Sequence, residues 1–130
     1  MKSVRWRIAI ATAVVVIAVF CSFGLRDYSR HIACERRGAA FTAQLESIER
    51  DAHEQLKIGT KKADAARFFA EHNIPFDFFA SEARGTLYTS GCAPFGCGTD
   101  SALIGVSVQL SQAGTVTDEP KVVSLYTDCL

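Results

Sequence analysis

Near its start the sequence contains a long apolar stretch without a charge, Ile8 to Leu25, which spans 18 residues and follows Lys2, Arg5 and Arg7. As an α-helix, a run of this length rises about 27 Å, which is close to the hydrocarbon thickness of a bilayer. We therefore expect either an uncleaved single-pass membrane anchor or a signal peptide that is removed. The anchor is favoured, because the run is long for a signal peptide and no Ala-x-Ala site follows it.

The orientation of such an anchor is less directly encoded, because basic residues flank both of its ends. The second flank carries Arg26, Arg30, Arg36 and Arg37, so the balance of lysine and arginine is not decisive. A short basic tail resists translocation, and we expect it to stay in the cytoplasm. The predicted location is the inner membrane with the C-terminal domain in the periplasm. The alternative is a domain secreted after signal cleavage.

The cysteines support an oxidising compartment. Cys21 lies in the apolar run, which leaves an even set in the rest of the chain: Cys34, Cys92, Cys97 and Cys129. In an exported domain this pattern predicts two disulfides. One connectivity joins Cys92 to Cys97 and Cys34 to Cys129. The other bonds Cys129 to the 92–97 loop and leaves Cys34 free.

Composition predicts one ordered domain after the apolar run. The chain is 48% hydrophobic, and residues 26–130 carry 11 Lys/Arg against 14 Asp/Glu, a net charge of −3. An acidic domain is a poor nucleic-acid binder. The side chains of Arg30, Arg36 and Arg37 either meet anionic lipid headgroups or form a solvated helix face.

Two helices are predicted to come first. Residues 26–57 form a long amphipathic helix, in which apolar residues recur at spacings of three and four: Phe41, Leu45, Ile48, Ala52 and Leu56. Gly59 ends this helix, and Thr60 is the expected N-cap of a second one. Asn73, in a left-handed conformation, and Pro75 end the second helix.

The hydrophobic period then changes from helical spacing to two. Strands are predicted near Phe76, over 86–90, over 103–110 and over 121–127. Short connections favour antiparallel pairing. The predicted fold is therefore α+β, with an N-terminal transmembrane helix and two helices packed on a four-stranded antiparallel meander. The corresponding segments are 1–25, 26–58 and 59–130, the last two forming one extracytoplasmic domain.

The segment 56–65, LKIGTKKADA, precedes a helix with an aromatic end and then a sheet. This arrangement resembles small bacterial envelope modules, the SmpA/OmlA-type lipoproteins and the helix–helix–sheet units of β-lactamase-inhibitor-like proteins, over roughly residues 45–130. The chain departs from them because it lacks a lipidation cysteine and has Asn73-Ile74-Pro75 in place of Gly-x-Pro. The resemblance implies a protein-binding domain without catalysis.

Sites for chemistry are weakly indicated. Cys92 and Cys97 enclose four residues rather than the two of thioredoxin-like redox motifs. His31 and Cys34 share a helix face, but zinc requires further ligands. Asp77, Glu82 and Asp100 belong to no hydrolytic motif. We predict no enzyme activity, no metal site and no cofactor.

Protein binding remains as the predicted activity. Phe95 lies between Cys92 and Cys97, where it is either an exposed anchor on a rigid turn or a cap on the sheet edge. Phe79, next to Phe78, makes the outer face of the sheet a second candidate interface. The predicted function is a membrane-anchored accessory domain that contacts an envelope protein. The alternative is an inhibitor or immunity-type protein that masks a toxin or hydrolase.

Overall fold

The structure, a computed structural model, describes residues 2–129, and the surroundings of side chains from residue 12 onward. The fold is α+β. Its elements are α1 (Lys2–Gln55), α2 (Lys62–Glu71), β1 (Phe76–Phe78), β2 (Glu82–Ser90), β3 (Ser101–Gln109) and β4 (Lys121–Tyr126). The strands form one antiparallel sheet, whose spatial order follows the chain order.

The chain divides into two compact units, Met1–Arg36 and Arg37–Leu130, and α1 contributes to both. In the first unit α1 carries the apolar run, whose large side chains are solvent-exposed, among them Val14, Ile17, Phe20 and Phe23. The helix is long and apolar enough to cross a membrane by length and composition. A helix that is apolar on all sides needs an apolar environment.

In the second unit α1 has one buried face. Phe41, Ile48 and Ala52 are buried at the predicted spacings, and Leu56 is buried directly after the helix ends. The prediction that Thr60 caps the second helix is wrong. Its hydroxyl donates to the carbonyl of Gln55 (3.2 Å) and so satisfies the end of α1, while Lys61 occupies the N-cap of α2 without a side-chain bond.

Helix α2 ends as predicted from its sequence. Asn73 has a φ of 54°, in the left-handed region. The amide of Ile74 bonds back to the carbonyl of Phe69 at 2.9 Å, which closes the last turn of the helix.

Strand β2 begins at Glu82, four residues earlier than predicted. The prediction missed its first part because Glu82, Ala83 and Gly85 have low strand propensity. Small residues are required there. A Cβ atom on Gly85 would lie 2.7 Å from Ile74 and 2.8 Å from the ring of Phe69. Packing against these two side chains therefore overrides local propensity.

The core of the second unit draws residues from both helices and from the sheet. Strand β3 alternates as its sequence predicts, with one face buried. The fully buried side chains in this core include Phe68, Phe69, Leu56, Ile104, Val106, Val108 and Val116. The rings of Phe41 and Tyr126 lie 5.7 Å apart and join α1 to β4.

Candidate binding loop at one end of the sheet

The connection between β2 and β3, residues 91–100, is closed by a disulfide to the C-terminal segment. Cys97 is bonded to Cys129, and the two residues also pair as an isolated antiparallel bridge with Cα atoms 4.2 Å apart. The first predicted connectivity, Cys92 to Cys97 and Cys34 to Cys129, is therefore wrong in both of its bonds. The segment after β4 continues alongside the loop and brings Cys129 to Cys97, a proximity that sequence spacing does not reveal.

The second predicted connectivity is confirmed in one part and wrong in the other. Cys129 is bonded to the loop, as that alternative requires. Cys34 and Cys92 are both disulfide-bonded, however, so Cys34 is not a free thiol. Cys21, in the apolar part of α1, is a free thiol. Disulfides of this kind persist in oxidising compartments.

The carboxylate of Asp100, at the end of the 91–100 loop, joins the start of the loop to helix α1. Asp100 accepts a hydrogen bond from the amide of Ala93 (3.0 Å) and an ion-paired bond from Arg37 (2.6 Å). These partners favour the charged form, so the Ala93 amide and then the Arg37 guanidinium lower the pKa of Asp100 below its ordinary value. Arg37, for which a lipid headgroup is one of the two predicted contacts, directs its guanidinium to Asp100 of this loop.

Further bonds fix the base of the loop. The hydroxyl of Tyr126 donates to the carbonyl of Cys92 (3.0 Å), and the amide of Gly98 donates to the carbonyl of Asp128 (3.0 Å). The amide of Gly91 bonds across the loop to the carbonyl of Asp100 at 2.9 Å. The loop is thus held by bonds on both of its sides.

Phe95 occupies the tip of this loop and is completely exposed, at 108% of its reference area. Directly after it Gly96 adopts a φ of 101°, and the amide of Cys97 bonds to the carbonyl of Pro94 (3.2 Å) to close a tight turn. The ring does not fold back on the sheet edge. A large apolar side chain is therefore held in solvent by a braced backbone.

Phe79 lies at the other end of the sheet, in the turn between β1 and β2, and is 56% exposed. Nine residues of β2 separate the two turns, a distance of about 30 Å at ~3.3 Å per residue. The structure therefore does not bring Phe79 and Phe95 into one site. Phe78 faces the core, with the ammonium group of Lys62 placed 4.2 Å from its ring centroid.

The outer face of the sheet carries an apolar row that we call the outer row: Tyr88, Leu103 and Leu125. These residues are direct cross-strand neighbours on β2, β3 and β4. Two further residue pairs of β2 and β3 separate the row from the 91–100 loop. Tyr88 is 74% and Leu125 49% exposed. The sequence predicted the strands that carry Leu103 and Leu125, but the role of Tyr88 was missed because β2 was predicted too short to show its alternation.

Of the three acidic candidates, Asp77 and Glu82 both neighbour Arg84, whereas Asp100 lies in the loop at the other end of β2. Glu82 forms an ion pair with Arg84 (3.0 Å), and Asp77 lies opposite the same arginine in the register of β1 and β2. His31 pairs with Glu35 at 3.4 Å. Within residues 12–129, whose side chains the structure describes, no group of three or more His, Cys, Asp or Glu residues is arranged to hold a metal ion.

Comparison with known proteins gives no match: no family model fits the chain, and no curated protein or solved structure is detectably similar to it.

Proposed function

We propose that this chain is a membrane-anchored, extracytoplasmic accessory domain of the bacterial envelope that binds another envelope protein through the 91–100 loop. The anchor is the apolar part of α1, and the inner membrane is the proposed location. The two helices would cover the inner face of the sheet and leave the loop and the outer row available. No catalysis is part of this proposal.

The exposed ring of Phe95 carries the proposal. Burying a phenylalanine side chain is worth about 1.5–3 kcal/mol relative to leaving it in water, yet here it is fully exposed. The Cys97–Cys129 bond and the Asp100 contacts hold its backbone, so little conformational entropy would be lost on binding. A rigid aromatic in a partner's pocket is a typical interface hot spot.

The location rests on α1 and on the disulfides. The apolar run of α1 exposes valine, isoleucine and phenylalanine side chains. Such a helix requires a membrane or an equivalent apolar surface. The bonded cysteines require an oxidising compartment. A cytoplasmic tail and a periplasmic domain satisfy both requirements.

Site-specific photo-crosslinking tests the proposal. A photoreactive phenylalanine analogue at position 95 of the full chain, in its native membrane, should capture a defined partner, and the same analogue at Phe79 should not. With the partner identified, Phe95→Ala should weaken binding by about 1–3 kcal/mol. Unchanged affinity of Phe95→Ala would overturn the role of the loop.

The inhibitor or immunity-type alternative would use the same convex loop. Phe95 would then enter the cleft of a toxin or hydrolase, and the protruding tip supports that mode. The captured protein separates the two functions: a toxin or hydrolase that loses activity when bound favours masking, whereas an assembly or transport component favours the accessory role.

A further inference from the structure

Strand β4 is a free edge of the sheet. Among the strands that the structure describes, β4 pairs with β3 alone, while the opposite edge, β1, has just three residues. Natural edge strands are usually protected by an internal proline, a charge or a bulge. Strand β4 begins with one charge, Lys121, but its remaining residues 122–126, VVSLY, contain neither proline nor charge, and their register with β3 is uninterrupted.

The register shows which backbone groups face outward. The amide of Thr127 donates to the carbonyl of Ser101 (3.0 Å), so this pair is hydrogen-bonded. Bonded and non-bonded pairs alternate in antiparallel sheets. The amides and carbonyls of Val122, Ser124 and Tyr126 therefore point away from β3. Among residues 2–129, no backbone bond from outside the sheet reaches these three residues.

The sequence of β4 is self-complementary about Ser124. If a second β4 pairs antiparallel with Ser124 opposite its counterpart, Val122 faces Tyr126 and Val123 faces Leu125. Beyond these, Lys121 faces Thr127, so no like charges oppose each other there. Centring the pairing on Val123 would instead set Lys121 against Leu125, and centring it on Leu125 would set Val122 against Asp128.

We propose that two copies of this chain associate through β4, with Ser124 on the two-fold axis, to form one continuous eight-stranded sheet. About six new backbone hydrogen bonds follow from this pairing. It also places Val123, which is 56% exposed, beside Leu125 of the other copy. The outer rows of the two copies become one apolar band. This inference is independent of the proposed role of Phe95.

Charge substitution at the axis tests the pairing. In detergent micelles, the full-length oxidised chain should show concentration-dependent dimers by sedimentation and by energy transfer between labelled copies. Ser124→Lys and Ser124→Glu should each weaken the dimer several-fold, because they place like charges directly opposite. An equal mixture of the two variants should restore it as a mixed dimer. Ser81→Lys, at an exposed serine between β1 and β2, should leave it unchanged.

Three results would overturn the inference. One is a wild-type chain that stays monomeric over the whole concentration range. Another is a dimer that both charge variants retain, which would place the contact elsewhere, such as along α1. The third is a mixture of Ser124→Lys and Ser124→Glu that dimerises no better than either variant alone.

Discussion

Asp100 determines how firmly the 91–100 loop is held, because one carboxylate joins the Ala93 amide on one side to Arg37 on α1. Nothing in its sequence context separates it from other loop acids. Its pKa is lowered, so the loop contacts are retained while the carboxylate is charged. Loss of the charge should therefore loosen the loop before it affects the core.

The lowered pKa of Asp100 determines how the stability of the loop depends on pH. A group with a lowered folded pKa contributes stability that is complete above its ordinary pKa and is lost as pH falls through the folded value. We expect the Ala93 amide to remain protected from hydrogen exchange down to the ordinary aspartate value of 3.8 and to lose protection only below it. Loss of protection as the solution is acidified from neutral pH, well above that value, would contradict this assignment.

Asp100→Asn should reduce Ala93 protection at neutral pH, because the amide side chain cannot form the ion pair with Arg37. The melting temperature should change less than the local protection, since the pair is exposed. Asp118→Asn is the matched control, because among the described residues that carboxylate accepts one hydrogen bond, from the amide of its neighbour Glu119. Equal effects of the two variants would argue against a bracing role for Asp100.

Gly85 is a second residue whose importance is invisible in the sequence. Gly85→Ala should destabilise the fold by about 1–3 kcal/mol, the usual cost of overpacking, because its new methyl group meets Ile74 and Phe69 at 2.7 and 2.8 Å. Gly98→Ala, whose added Cβ would find its nearest neighbour at 3.6 Å, is the control. Chemical denaturation of both variants measures the difference, and equal unfolding midpoints would contradict it.

At the scale of elements, the Cys97–Cys129 bond joins the last segment of the chain to the loop between β2 and β3. The bonded residues are 32 positions apart. In the chain-entropy model such a loop is worth about 3–4 kcal/mol. The bond also restrains the backbone close to Phe95, so its removal should affect both stability and partner binding.

Replacing both Cys97 and Cys129 with alanine should therefore lower the free energy of unfolding by about 3–4 kcal/mol and weaken Phe95-dependent binding. Cys21→Ala, which removes the free thiol in the apolar helix, is the control and should do neither. Peptide mapping of the unreduced chain should recover Cys97 joined to Cys129. Recovery of Cys92 joined to Cys97 would contradict the structure.

At the scale of the whole molecule, the predicted topology is a cytoplasmic tail, a retained apolar helix and a periplasmic domain. Alkaline phosphatase fused after Leu130 should be active, because that reporter folds only where disulfides form. The fusion should remain in the membrane fraction after carbonate extraction. A stable but inactive fusion would overturn the location, and a mature protein beginning at Leu25 would select secretion instead.

The sequence determined most of the local structure of this protein. The 18-residue uncharged run identified the apolar helix, helical spacing identified Phe41, Ile48 and Ala52 as buried, and alternation identified β3. These signals depend on neighbours within a few residues, which fix periodicity and capping. Thr60 was misassigned because a hydroxyl between two helices can serve either end.

Only the tertiary structure decided which distant residues meet. It bonded Cys97 to Cys129, placed Asp100 against Arg37, required glycine at position 85 and extended β2 to include Ala83. It also separated Phe79 from Phe95 and left the ring of Phe95 in solvent. Each of these outcomes depends on how sheet register and helix packing bring together segments far apart in the chain, which local propensity and spacing do not encode.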